Sequence, residues 1–446
     1  MTAHRKLHLN AFIMESGHHE GAWRLPGSDP HATVDVAHFQ NLARIAERGK
    51  LDSLFLADSP SLWGSVGRRP AAVLEPTILL TALATVTEHI GLIATMSTTY
   101  NEPFNLARRF ASLDHVSRGR AGWNIVTTAD LAAARNFNLE VLPNHSDRYA
   151  RAAEFVDVAL KLWDGWDEDA IVGDKEHGVW ASDDRVHAAD HVGEHFRVAG
   201  PLNVSRSPQG RPLLVQAGSS EDGKDFAARY AEAVFTAQQT LADLQAFYAD
   251  VKARAVGFGR DPDTIKILPG IVPAIGSTEA EAKELEAELD RLINPVYAVR
   301  QLEEALRLRP GDLALDRPLP ADLPTEDEIE GAKSRYTLIV ELARRENLTV
   351  RQLIGRLGGG RGHWTFAGTP EQVADVIQHR FSNGAADGFN IMAPVLPRGL
   401  EDFVDHVVPI LQRRGLFRTE YEGANLRDNY GLAPVRSQRL LQGAAS

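Results

Sequence analysis

The segment Gln216-Ala217-Gly218-Ser219-Ser220-Glu221-Asp222-Gly223 sets two adjacent hydroxyls in a short turn of small residues. An apolar run, Pro212–Val215, precedes it, and an amphipathic stretch, Phe226–Ala231, follows. The implied order is strand, tight turn, helix, with Ser220 as a good N-cap. Hydroxyls and free backbone N–H groups converging on the positive end of a helix make a site for a phosphate. A plain capped helix after a buried strand would read the same way, so the weight of this turn comes from its surroundings.

Neutral hydrogen-bonding residues recur where other apolar runs end. Glu15, His18, His19 and Glu20 follow the first run, and Asp58-Ser59 the second. The third ends in Thr95–Tyr100; the fourth carries Trp123-Asn124 and ends in Thr127-Thr128. Asn144, His145, Arg148 and Tyr149 open a long helical stretch. Such a lining suits a polar, planar ligand with many acceptors. There is no carboxylate pair set for hydrolysis, no Gly-x-Ser-x-Gly elbow and no Gly-Lys-Ser/Thr phosphate loop. His187, His191 and His195 have metal-ligand spacing for a helix. Gly193 interrupts them and Phe196-Arg197-Val198 reads as strand, so no metal is expected. His18-His19-Glu20 reads as a pocket-lining loop rather than a metal site. Gly358–Gly362 reads as a lid or linker, not a phosphate loop.

The elements that must position these residues alternate along the chain. Strands are expected at Leu7–Ile13, Ser53–Ala57, Ile90–Ser97, Arg120–Val126, Pro212–Ala217, Ala233–Phe235, Ile265–Pro273 and Gly388–Ala393. Between them, helical spacing covers Val34–Arg48, Glu75–Thr87, Pro103–Val116, Arg148–Trp163, Phe226–Ala231, Leu241–Val256, Val373–Phe381 and Leu400–Arg413. Thr369-Pro370-Glu371-Gln372 is a capping box with proline at the first helical position. Eight alternating strands close a parallel (β/α)8 TIM barrel, whose function sits at the C-terminal ends of the strands. One domain, 1–446, is expected, with insertions at about 167–211 and 277–365 and a C-terminal tail from about 417. The first insertion is polar and reads as a loop or hairpin excursion. The second holds a charged helix at Glu279–Leu292, a proline-rich stretch at Pro310–Pro324 and further helices.

The 446 residues are 43% hydrophobic and 24% charged, an ordinary globular composition with ample core. A net charge of −12, spread diffusely, speaks against nucleic acid or an anionic membrane as partner. The absence of cysteine excludes disulfides, thiolate nucleophiles and cysteine metal sites. No stretch reaches the roughly 18 apolar residues of a membrane span. The stretch His4-Arg5-Lys6 before Leu7–Ile13 is too short and polar for a signal peptide, so a cytoplasmic protein is expected.

Several motifs, in this order, resemble those of the bacterial-luciferase-like flavin monooxygenases. They include Leu9-Asn10-Ala11-Phe12, Gly21-Ala22-Trp23-Arg24, Phe55-Leu56-Ala57-Asp58, Ser117–Thr127, His145-x-x-Arg148-Tyr149, His195–Asn203, Gln216–Ser220 and Arg418–Gly423. Within that family the motifs resemble the subgroup of nitrilotriacetate monooxygenase component A and dibenzothiophene-sulfone monooxygenase. The resemblance implies a TIM barrel that takes FMN, reduced to FMNH2 by a separate NAD(P)H:FMN reductase. It implies a two-component reaction that inserts one oxygen atom of O2 into a small organic substrate through a flavin peroxide. By the same resemblance, Ser219, Ser220 and Tyr149 would hold the phosphate. Asp58, Thr95, Asn124 and His145 would contact the ribityl chain or the ring. His145, His18 and His19 become the candidates for proton transfer. Glu221 and Asp222 put negative charge beside the phosphate, so they are expected to point outward, with Arg148 as counter-charge. Arg24, Arg68 and Arg69 could give a basic substrate pocket. A homodimer or homotetramer is implied. Two alternatives stay open: a deazaflavin-dependent oxidoreductase of the same barrel, and a flavin-binding protein without turnover.

Overall fold

The computed structural model describes residues 5–62, 66–67, 70–325 and 333–437. Four strands open the chain: β1 (His8–Ile13), β2 (Ser53–Leu56), β3 (Gly91–Ser97) and β4 (Ala121–Val126). The first insertion forms two antiparallel ribbons, β5 (Ile171–Asp174) with β6 (Val179–Ala181), and β7 (His191–Val192) with β8 (Arg197–Val198). Then come β9 (Leu213–Gln216), β10 (Ala233–Thr236), β11 (Lys266–Ile275), β12 (Trp364–Gly368) and β13 (Gly388–Ile391). All barrel pairings are parallel, in the circular order β1-β2-β3-β4-β9-β10-β11-β13, and β13 closes on β1. This is a closed (β/α)8 barrel, with the eight strands at the expected places. Beyond the barrel, β11 projects, and β12 pairs with its far end from Ile271↔Trp364 to Ile275↔Gly368. This ninth strand was not foreseen; Trp364-Thr365-Phe366 follows the glycine run with too little context to stand out.

Period-2 alternation divides each strand between two cores. Leu54 and Leu56, Leu92 and Ala94, Trp123 and Ile125 face the helices. Phe55, Ile93, Leu213, Val215 and Phe235 fill the barrel. The same parity turns Thr95 and Asn124 inward, as neighbours across β3 and β4. Helices α1 (Val36–Arg48), α2 (Pro76–Ala84), α3 (Pro103–Val116), α4 (Leu131–Asn136) and α5 (His145–Trp163) lie in the first half. Helix α6 (Glu221–Tyr230) starts directly after Ser220, which accepts from Gly223 N–H at 3.2 Å. Helix α7 (Leu241–Gly257) follows β10.

The second insertion contains α8 (Glu279–Arg291), α9 (Pro295–Ala305), α10 (Lys333–Arg345) and α11 (Val350–Gly360). It has its own core, with Leu302, Leu306, Tyr336, Ile339 and Leu353. The sequence expectation of a lid or linker at the glycine run is corrected here: its first three residues are helical. Gly358–Gly360 form the buried last turn of α11, where Cβ atoms would press on Ile293 (2.5 Å), His19 (3.4 Å) and Thr365 (2.9 Å) respectively. Glycine there serves close packing. Helix α12 (Pro370–Ser382) begins with the expected Thr369–Gln372 capping box. In the final helix, 398–413, a π turn at Phe403–Val407 precedes Pro409. Proline lacks an N–H and crowds the carbonyl four residues back, which widens the turn.

The C-terminal tail seals the N-terminal end of the barrel. Tyr430 is wholly buried, stacks on His8 at 4.9 Å, and donates to Asn10 Oδ1 (2.8 Å). Arg418 reaches buried Asp52 (2.6 Å), and Arg427 reaches Glu232 (2.7 Å).

Candidate active site

A cavity of about 970 Å³ opens at the C-terminal ends of the strands. Its barrel side is aromatic and polar: Phe12, Phe55 and Phe235 with Asp58, Thr95, Asn124 and Ser219. Its outer side comes from the second insertion, with Glu341 and Arg345 on α10 and Arg361 and His363 after α11. Gln239 Nε2 donates to the Gly362 carbonyl (2.7 Å), tying the β10 loop to that insertion.

Asn124 Nδ2 donates to Thr95 Oγ1 at 2.9 Å. Its Oδ1 is buried and has no hydrogen-bond partner. An orphaned acceptor in a cavity wall is costly unless a ligand N–H or O–H meets it. Asp58 stands between this cavity and a small apolar pocket. Burial, reinforced by Glu75, pushes its carboxyl up to about 6.

Beside Ser219 lies a second feature, built by two glycines. The Cα atoms of Gly218 and Gly223 face each other, and a Cβ on Gly223 would sit 3.1 Å from Gly218 Cα, Ser220 Oγ and Tyr149 Oη alike. Tyr149 hydrogen-bonds Ser220 and Thr127, and burial keeps its phenol protonated, as a donor. The buried guanidinium of Arg148, on the next helical position, donates to the Pro143 carbonyl (2.7 Å) and leaves Nε without a partner. The acidic pair behaves unevenly. Glu221 is exposed and held by Lys224 (2.5 Å) and Arg254 (2.5 Å). Asp222 instead turns to His145, whose Nδ1 lies 2.8 Å from its Oδ2.

The luciferase-like monooxygenase family profile matches residues 21–387. Nitrilotriacetate monooxygenase component A of Aminobacter aminovorans is 50% identical, over 97% of this chain and 98% of that protein. The chain belongs to the luciferase-like monooxygenases. Its structure resembles EDTA monooxygenase from Chelativorans sp. BNC1 with a TM-score of 0.83 and 35% identity, over 97% of this chain and all of that one. It also resembles a riboflavin lyase solved with modified FMN and riboflavin, with a TM-score of 0.83 and 32% identity, over 96% of each chain. It is a flavin-dependent monooxygenase.

The monooxygenase fold brings some expected residues together and parts others. Asp58, Thr95, Asn124 and Ser219 share the cavity; Ser220, Tyr149 and His145 stand at its edge around the glycine pair. His18 is fully buried behind Phe12, edge-on at 4.6 Å, with Nε2 2.9 Å from the Phe12 carbonyl and Nδ1 without a partner. Burial, then Arg361, keeps this imidazole neutral. His19 faces a separate pocket of about 270 Å³, where Asp290 lies 3.1 Å from Nε2 and Gly21 N–H donates to Nδ1 (3.0 Å). Arg24 docks on the Leu292 carbonyl, not on the cavity; Arg68 and Arg69 lie outside the described residues. The three spaced histidines diverge. His187 meets Asp167 (3.1 Å), His191 meets Glu154 (2.9 Å), and the backbone N–H of His195 donates to Glu154 (2.9 Å). Sequence reasoning missed the aromatic floor, Arg361 and His363. Period-2 parity on Phe12 and Phe55 was the available signal for the floor; nothing local announced the other two.

Proposed function

We propose that this protein binds reduced FMN in the 970 Å³ cavity, supplied by a separate NAD(P)H:FMN reductase, and transfers one oxygen atom of O2 to a small organic substrate. The observation that carries the reading is the cradle between Gly218, Gly223, Ser220 and Tyr149, continuous through Ser219 with a cavity holding an orphaned acceptor. The residues fit the cofactor. Ser219, Ser220, Tyr149 and the N-terminal N–H groups of α6 would hold the phosphate, and Arg148 would supply positive charge. Thr95, Asn124 and Asp58 would meet the ribityl chain and ring, whose N–H groups suit Asn124 Oδ1.

Bound reduced flavin supplies the electrons that activate oxygen. The protein's part is to orient and to keep water out. Phe12, Phe55 and Phe235 give an apolar floor, and Leu338, Glu341 and Arg345 of α10 line the outer side. His145 is the best-placed candidate to hold or move a proton, because Asp222 fixes its Nδ1 and leaves Nε2 available. His18 is placed to act only through Phe12 and the cavity wall. Among the described residues, no helix is long and apolar enough to cross a membrane. The reading places the protein in the cytoplasm, where NAD(P)H feeds the reductase, as a homodimer or homotetramer.

The test is direct binding followed by turnover. FMN should bind at least tenfold more tightly than riboflavin, which lacks the phosphate, and reduced FMN should be oxidised by O2 faster with protein than without. Equal affinity for FMN and riboflavin would remove the phosphate cradle from the reading.

A further inference from the structure

A row of buried polar side chains runs inside the barrel from the C-terminal tail to the cavity. Its members are Tyr430, Ser53, Asn10 and Asn390, all buried. Amides and hydroxyls persist in such a place when each is hydrogen-bonded. Asn10 on β1 pairs in register with Ser53 on β2 and with Asn390 on β13. Tyr430 reaches them from the tail. Of the four, Asn390 lines the main cavity.

The row has a direction, and a main-chain carbonyl sets it. Asn390 Nδ2 donates to the Leu268 carbonyl (3.3 Å), which can only accept. Asn390 Oδ1 therefore faces Asn10 and accepts from Asn10 Nδ2 (3.1 Å). That turns Asn10 Oδ1 toward two hydroxyls, and both donate to it, Ser53 Oγ and Tyr430 Oη at 2.8 Å each. Burial keeps the Tyr430 phenol protonated, so it remains a donor. Reversing either amide alone would set like groups against each other at the Asn10–Asn390 contact. One group is left over. The second N–H of Asn390 has no partner among the described residues, and the residue stands in the cavity wall. On β4, directly across the barrel from β13, Asn124 leaves an acceptor, Oδ1, in the same cavity. The cavity thus offers one amide donor and one amide acceptor. They complement a ring that carries both C=O and N–H groups, as the pyrimidine part of a flavin does.

We propose that Asn390 is a flavin-binding residue whose free N–H donates to a ring carbonyl, and that Tyr430 and Ser53 are positioning residues that hold this donor in place through Asn10. The tail closes the far end of the barrel and, by this route, sets the polarity of the cavity wall. The inference rests on the flavin reading of the cavity.

The experiment compares wild type, Asn390→Ala, Tyr430→Phe and the double variant Ser53→Ala with Tyr430→Phe. Fluorescence quenching reads the affinity for FMN and for riboflavin. Infrared difference spectroscopy, with flavin isotopically labelled at C2 or C4, reads the two ring carbonyls. A hydrogen bond lowers a C=O stretching frequency, so one carbonyl band should move to higher frequency in Asn390→Ala. Both flavins should lose the same factor in affinity, about fivefold, the size of one neutral hydrogen bond to the ring. The double variant should move the same band with residue 390 unchanged, and Tyr430→Phe should move it less. A tail that only stabilised the fold would lower the melting temperature and leave the band in place. Bands that stay in place in Asn390→Ala overturn the donor, and bands that stay in place in the double variant overturn the part assigned to the tail. If Asn390→Ala does not fold, the tail variants decide, because they keep the asparagine. A wild type that binds neither flavin removes the cofactor reading and this inference with it; one that binds both, with unmoved bands in the variants, removes the inference alone.

Discussion

The Ser220 hydroxyl has two tasks, capping α6 and meeting Tyr149. Ser220→Asp keeps a capable cap and adds a charge where the phosphate would sit. FMN affinity should fall tenfold or more, about 1.4 kcal/mol, while riboflavin affinity stays the same; fluorescence quenching reads both. Asp58 gives a pH signature. Its carboxyl is raised to about 6 by burial and by Glu75, so the folded state favours its neutral form. That contribution is complete below about pH 4, the ordinary carboxylate range, and is lost as pH rises through 6. Asp58→Asn should therefore match wild type in melting temperature near pH 4 and exceed it at pH 8. A variant that melts lower at pH 8 would show that the ionised carboxylate is stabilised by contacts other than those seen.

At the scale of elements, the glycine run shows how a local reading fails. Gly358-Gly359-Gly360 has the composition of a linker, yet the three residues form a helix turn pressed against α8's end, the β1 loop and β12. The amphipathic spacing Val350, Leu353, Ile354 and Leu357 outweighs the poor propensity of glycine once the insertion's core forms. Gly358→Val would set a Cβ 2.5 Å from Ile293 Cδ1. Overpacking of this kind costs about 1–3 kcal/mol, so the melting temperature should drop, with FMN affinity preserved. The α6 turn is the opposite case. Strand, small residues, N-cap and helix were legible because capping is written in four consecutive residues. The asymmetry of Glu221 and Asp222 was not, since Arg254 and His145 come from distant elements.

Across the whole molecule, the tail from Phe417 onward is part of the barrel. Glu232, at the start of β10, is fully buried between Arg211 (2.8 Å) and Arg427 (2.7 Å). Burial alone would raise its carboxyl, but the two arginines win and hold it at about 2. The folded value lies below the unfolded one. Stability from this group is present above about pH 4.5 and is lost as pH falls toward 2. Arg427→Met, which leaves a buried carboxylate with one partner fewer, should cost about 3–5 kcal/mol at pH 7. Chemical denaturation across that pH range checks both, and Glu232→Gln should flatten the acid limb. An Arg427→Met protein as stable as wild type would mean the tail is dispensable to the barrel.

The sequence by itself determined the barrel and one end of the site. Strand and helix periods are local, eight of each close a barrel, and the ends of the third and fourth strands put Thr95 and Asn124 among the site candidates. It also determined the α6 turn, because a cap is a short-range hydrogen bond. Only the tertiary structure decided which histidine stays at the cavity. Three equally plausible imidazoles became one beside the cradle, one sealed behind Phe12, and one facing a different pocket. It also decided that a residue near the end of the second insertion, Arg361, lines the same cavity as Asp58. Such contacts join residues hundreds of positions apart, and no spacing along the chain encodes them.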